Sequence, residues 1–267
     1  MRPFVPPIVG AVLNRLRTAE REYVGTTWPA SPLPSWDDSS HEAIMRRNWP
    51  LVAERIAGIG PLNILPYQSD VANLTAHNML MTFLYVVARA GHKKDRLSVL
   101  DWGGSVGHYA LVARRMLPEI AFDFVVKEQP TNYRLGRELN PDTTFVDSDD
   151  ASFARHYDVV MANGAIHYEE DWKTLVRRLA TAADFWLLIT CLPVVRKVPG
   201  FVVVQRLKSA GFLGEFYSNI VNRDDFVSEV TQHGFVLERE LMSWGPVPYR
   251  GAPEVTLGAG FLFRRCA

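Results

Sequence analysis

Cysteine is scarce in this chain: Cys191 and Cys266 are the two in 267 residues. That rules out a disulfide framework and leaves no metal-ligand spacing, so the expectation is a reducing cytoplasm and no metal site. An excess of charge is missing as well, with 29 Lys and Arg against 29 Asp and Glu. A grip on nucleic acid needs concentrated basic surface to displace counterions, and the pairs Arg114-Arg115, Arg177-Arg178 and Arg264-Arg265 are scattered. No nucleic-acid partner is expected. Long apolar runs are absent: Pro3, Pro6 and Pro7 interrupt the first ten residues, so neither a secretory signal nor a transmembrane segment is expected. No Walker A sequence occurs. The dinucleotide fingerprint G-x-G-x-x-G would place glycine at 103, 105 and 108, where the chain has Gly103, Ser105 and His108, so a nicotinamide or flavin reading fits badly.

What is present begins at residues 97–108. An apolar run ends in Asp101, a turn follows with Gly103, Gly104, Ser105 and Gly107, and a helical pattern starts near Val106. Glycines permit close approach of backbone to a ligand, and the free N–H groups of the helix point into the same crevice. The turn therefore predicts a site for a nucleotide-like cofactor. The next apolar run, 122–126, leads to Glu128 and Gln129, about 20 residues beyond the turn, where a doubly wound fold places the acid that accepts the ribose hydroxyls. A third run closes on Asp147 and Ser148, which equally fit a capped turn before a short helix. A fourth, 157–163, ends at Asn163 and continues into His167 and Tyr168. Further strand patterns at 184–190, 234–240 and 257–264 alternate with helical ones, which argues for a parallel sheet with right-handed crossovers.

Asp101, Gly103 and Gly107 stand in a pattern that resembles the first motif of the class I S-adenosylmethionine (SAM) methyltransferases. Ser105 departs from it, and a left-handed backbone there costs a serine roughly 1 kcal/mol, so a slightly different loop path is expected. The resemblance implies a Rossmann-like α/β fold with seven strands, the last antiparallel, and helices on both faces. It implies SAM as cofactor and S-adenosylhomocysteine (SAH) as product. It assigns Asp101, Gly103, Gly104, Ser105, Gly107 and Asn163 to the cofactor crevice, Glu128 and Gln129 to the ribose, and Asp147 and Ser148 to the adenine. A closer resemblance, through 101–107, 125–130, 162–168 and 202–205, is to a poorly characterised bacterial methyltransferase family; it implies a small-molecule or carbohydrate-like acceptor in biosynthesis, methylated on O or N.

The domain expectation is an N-terminal helical cap over 1–95 and a SAM-binding domain over 96–267, with an acceptor-site insertion at about 193–222. Helices are expected at 40–57, up to a break near Pro50, and at 71–90. Residues 8–17 form a short amphipathic stretch expected to pack on a neighbouring helix or on a second copy of the chain, as in a homo-oligomer. Trp28, Trp36, Trp49, Tyr67 and His77 in the cap are candidate acceptor contacts, as are Arg196, Lys197, Gln205, Arg206, Glu215, Tyr217 and Asn219 in the insertion. His167 is the candidate general base, because its unperturbed pKa lies near neutrality and its loop follows the fourth strand. Two other classes stay open: a catalytically inactive binding protein on the same fold, and an NAD(P)-dependent oxidoreductase.

Overall fold

The computed structural model describes residues 20–33, 39–63, 65–67, 73–206 and 214–266. Its elements are β1 (Arg21–Gly25), α1 (Ser39–Ala57), α2 (Leu74–Ala90), β2 (Arg96–Trp102), α3 (His108–Met116), β3 (Ala121–Lys127), α4 (Pro130–Leu139), β4 (Thr144–Val146), α5 (Asp149–Ser152), β5 (Tyr157–Asn163), α6 (Trp172–Ala182), β6 (Ala183–Val195), β7 (Phe201–Arg206), β8 (Glu215–Asn222), α7 (Arg223–Thr231), β9 (Phe235–Val247) and β10 (Thr256–Arg265). A single 3₁₀ turn covers Ile166–Tyr168. The stretch 8–17 and Trp36 lie outside the described residues.

The main sheet runs β4-β3-β2-β5-β6 in parallel, then β10 and β9. β10 is antiparallel to both β6 and β9, so the last strand slots between two that precede it. These are the seven strands expected. The central parallel strands are largely apolar and buried because both faces are covered, whereas β9, at the edge, carries Glu238, Arg239 and Glu240 and is mostly half-buried or exposed. Val99, Phe124, Val159 and Met161 face α1, α2 and α3, while Leu100, Val125, Val160 and Ala162 face α6 and α7. Met45, Trp49, Val52 and Ile56 of α1 and Phe83 and Val87 of α2 belong to the first of these cores, so the segment before β2 covers one face of the sheet.

Two features differ from expectation, and a third, the form of the insertion, is left open by the sequence. α1 continues through Pro50, which is exposed, because its buried stripe 45-49-52-56 anchors the helix on both sides of the proline. The N-terminal segment is not wholly helical: β1 pairs antiparallel with β7. The insertion is a β-hairpin, β7 on β8, that joins the end of β6 through a short parallel pairing at Val194 and Val195.

Candidate functional site

β2, β3 and β5 end side by side, with Trp102 opposite Lys127 and Asp101 opposite Met161, and the chain turns off each strand at the edge of one cavity of about 710 Å³. That size lies within the range of ligand pockets, ~300–1,000 Å³. Gly103, Gly104, Ser105, Glu128, Gln129, Asn163 and His167 all line it.

The glycine turn is tight by necessity. A Cβ on Gly104 would lie 2.4 Å from an Asp101 carboxylate oxygen, and one on Gly103 would lie 2.5 Å from the Ala165 Cβ. Ser105 has φ 55°, so the serine takes the left-handed path that glycine usually takes instead of rerouting the loop. What holds it there is Glu128, whose Oε1 accepts the Ser105 N–H at 2.7 Å. The other oxygen, Oε2, accepts the Gln129 N–H at 2.8 Å, at the start of α4. Burial raises the Glu128 pKa, and the Gln129 and Ser105 N–H groups and the Asn132 amide oppose that shift.

Asp101 sits beneath the turn, fully buried and outside the cavity wall. Both its carboxyl oxygens lack a partner, and burial, followed by the charge of Glu128, pushes its pKa up to about 8. It is therefore protonated through neutral pH. Gly107 caps α3 from below, also away from the cavity. Asp147 and Ser148 are exposed and outside the cavity wall; Ser148 caps α5 by accepting from the Ala151 N–H. The acid of this stretch that reaches the wall's residues is Asp149, which accepts from Trp102 Nε1 at 2.9 Å and lies 3.2 Å from Lys127 Nζ.

His167 is buried on the 3₁₀ turn, with Nδ1 unpartnered, and burial lowers its pKa to about 3. Its turn is fastened from outside: Asn219 Nδ2 on β8 donates to the Glu169 carbonyl at 2.7 Å, and Tyr168 packs edge-on against Phe216. The hairpin of the insertion thus positions the histidine loop.

Of the cap candidates, Tyr67 lines the cavity; Trp49 is core, Trp28 packs on Tyr217, and His77 lies outside the wall. Of the insertion candidates, Gln205 lines it; Arg196 pairs with Glu240, and Arg206 with Glu22 and Glu215. Sequence reading missed several wall residues. His108 opens α3 with both ring nitrogens unpartnered, and burial lowers its pKa to about 4. Cys191 reaches the wall through a bulge: Thr190 and Cys191 oppose the single Gly260, and Cys191 takes φ 56°. Trp244, Pro246, Val247 and Tyr249 come from the far end of β9 and beyond, and Arg21 from β1. Among the described residues no cluster of His, Cys, Asp or Glu is placed to hold a metal ion, and no helix is long and apolar enough to cross a membrane.

No known family profile matches the sequence, and no curated protein matches it. Solved structures do. The chain superimposes on a proposed sarcosine dimethylglycine methyltransferase from Galdieria sulphuraria with TM-score 0.57 at 13% identity, covering 85% of this chain and 98% of that one. It superimposes on the N-terminal domain of EvdMO1 with SAH bound at TM-score 0.51 and 14% identity, covering 86% and 100%. For magnesium protoporphyrin IX methyltransferase from Synechocystis PCC 6803 with bound SAH the values are 0.50 and 18%, covering 79% and 92%. The strand order, the antiparallel β10 and these superpositions together show that the chain has the class I methyltransferase fold.

Proposed function

We propose that the protein transfers a methyl group from SAM to an oxygen or nitrogen of a small-molecule or carbohydrate-like acceptor, in bacterial biosynthesis. The observation that carries the reading is the glycine turn locked onto Glu128 at the mouth of the cavity. A Cβ has no room at Gly103 or Gly104, and the buried Glu128 carboxylate stands between the turn and α4, as a cradle for a ribose-bearing cofactor requires. Gly103, Gly104, Ser105, Glu128, Gln129 and Asn163 would hold the cofactor. When bound, SAM supplies an electrophilic methyl group on a sulfonium centre.

The chain's own task is alignment in a dry space. Tyr67, Met79 and Trp244 give the cavity an apolar wall against which an acceptor can pack. His167 is the candidate catalytic residue. Neutral at physiological pH, its imidazole accepts a hydrogen bond from an acceptor O–H or N–H and takes the proton as the bond to carbon forms. The burial that keeps it neutral also makes it a weak base, so its contribution is orientation and late proton removal. Thermal-shift measurements with SAM, SAH, NAD and NADP test the reading, because a ligand of the folded state raises its melting temperature. Stabilisation by SAM and SAH supports it; stabilisation by NAD or NADP alone sinks it.

A further inference from the structure

We propose that the wall of the cavity formed by β1 and β7 is an anion subsite, in which Arg21 and Gln205 hold a carboxylate of the acceptor. The inference deepens the methyl-transfer reading and rests on it for the identity of the occupant as an acceptor. Arg21 and Gln205 stand directly opposite each other in the antiparallel β1–β7 pair, so their side chains leave the same face of the sheet, and both line the cavity. Gln205 is buried, and its amide nitrogen donates to the Tyr249 hydroxyl at 3.4 Å with one N–H to spare.

Among the described residues the Arg21 guanidinium makes no ion pair, although acids surround it in sequence and space. Glu22 is taken by Arg206 and Arg250, and Glu215 by Arg206. The two acids in the cavity wall serve elsewhere: Glu128 holds the glycine turn, and Glu169 senses Lys127 and Asp149. Arg21 thus has no acidic partner among the described residues, on a wall that also carries Tyr168, Pro246, Val247 and Tyr249. Its field reaches the phenols of both Tyr168 and Tyr249. Arg21 is half-buried, and the planar fork of arginine matches a carboxylate's two oxygens.

The test titrates SAH-saturated protein by calorimetry with benzoate, phenylacetate and 4-hydroxybenzoate, each against its neutral amide. At least one carboxylate is expected to bind about tenfold or more tightly than its amide. Arg21→Gln should erase that preference while SAH affinity and melting temperature hold, and Arg21→Lys should keep part of it. Amides binding as well as the acids, a preference that survives Arg21→Gln, or no carboxylate binding below about 10 mM would each overturn the proposal. Failure of SAH itself to bind counts against the methyl-transfer reading instead, and the same titrations on the unliganded protein then still decide the role of Arg21.

Discussion

Glu128 does two jobs that its place in the sequence does not separate. At a strand end it reads as a ligand acid free in a crevice; in the fold it is also the acceptor for two backbone N–H groups. Glu128→Ala should therefore weaken SAH binding on the order of ten- to a hundredfold and also cost about 1–3 kcal/mol of stability, because Ser105 and Gln129 lose their acceptor. Calorimetry and urea denaturation read the two effects apart. His167 carries a second prediction. Because burial holds its pKa at about 3, the wild-type rate should show no break near the ordinary histidine value. His167→Ala should leave SAH affinity intact and slow turnover about a hundredfold, with the residual rate climbing at alkaline pH as the acceptor ionises unaided. Near-normal turnover of His167→Ala would remove His167 from this role, whereas a wild-type break between pH 6 and 7, roughly the histidine range, that the variant lacks would contradict its lowered pKa.

At the scale of elements, the glycine turn is the most instructive. Ser105→Gly should raise stability by up to about 1 kcal/mol, since a left-handed residue is relieved of its Cβ. Gly103→Ala should do the reverse and more strongly, with a positive φ and a Cβ only 2.5 Å from that of Ala165. Chemical denaturation of both variants checks the contrast. This turn, the seven strands and Glu128 were legible because their signals are local: an apolar run, an acid, and glycines at fixed spacing. The acceptor side was not. Trp244 lies near the end of a strand whose early half, from Phe235, was the part that patterning picked out. Trp244 can lie against β10 because Gly258 leaves room for its ring, a long-range match that no window of sequence displays. Arg21 belongs to a strand of five residues whose partner is β7, far away in the chain. The break expected at Pro50 failed for a related reason, since tertiary burial of the opposite stripe outweighs one lost helical hydrogen bond.

At the scale of the whole molecule, buried titratable groups set opposing pH limits on stability. His108 and His167 stay neutral when folded, with pKa values near 4 and 3, but take up protons when unfolded once pH falls below 6.5. The unfolded chain then binds more protons, so stability falls on acidification below that point. Asp101 acts the other way: folded, it keeps its proton up to about pH 8, whereas unfolded it releases it above 3.8. Stability attributable to Asp101 therefore declines as pH rises across that window. Asp101→Asn should gain on the wild type progressively between those pH values, as followed by urea denaturation in a pH series; a constant difference would mean that Asp101 is ionised in the folded protein. The methyl-transfer reading hangs on what the cavity at the carboxyl edge of β2, β3 and β5 is for, and calorimetry with SAM, SAH, NAD and NADP on the wild type and Glu128→Ala addresses that most directly. The account predicts binding of SAM and SAH, weakened at least tenfold by the substitution, and none of the nicotinamide nucleotides. Absence of heat from SAM and SAH at about 1 mM, together with binding of NAD or NADP, would contradict it.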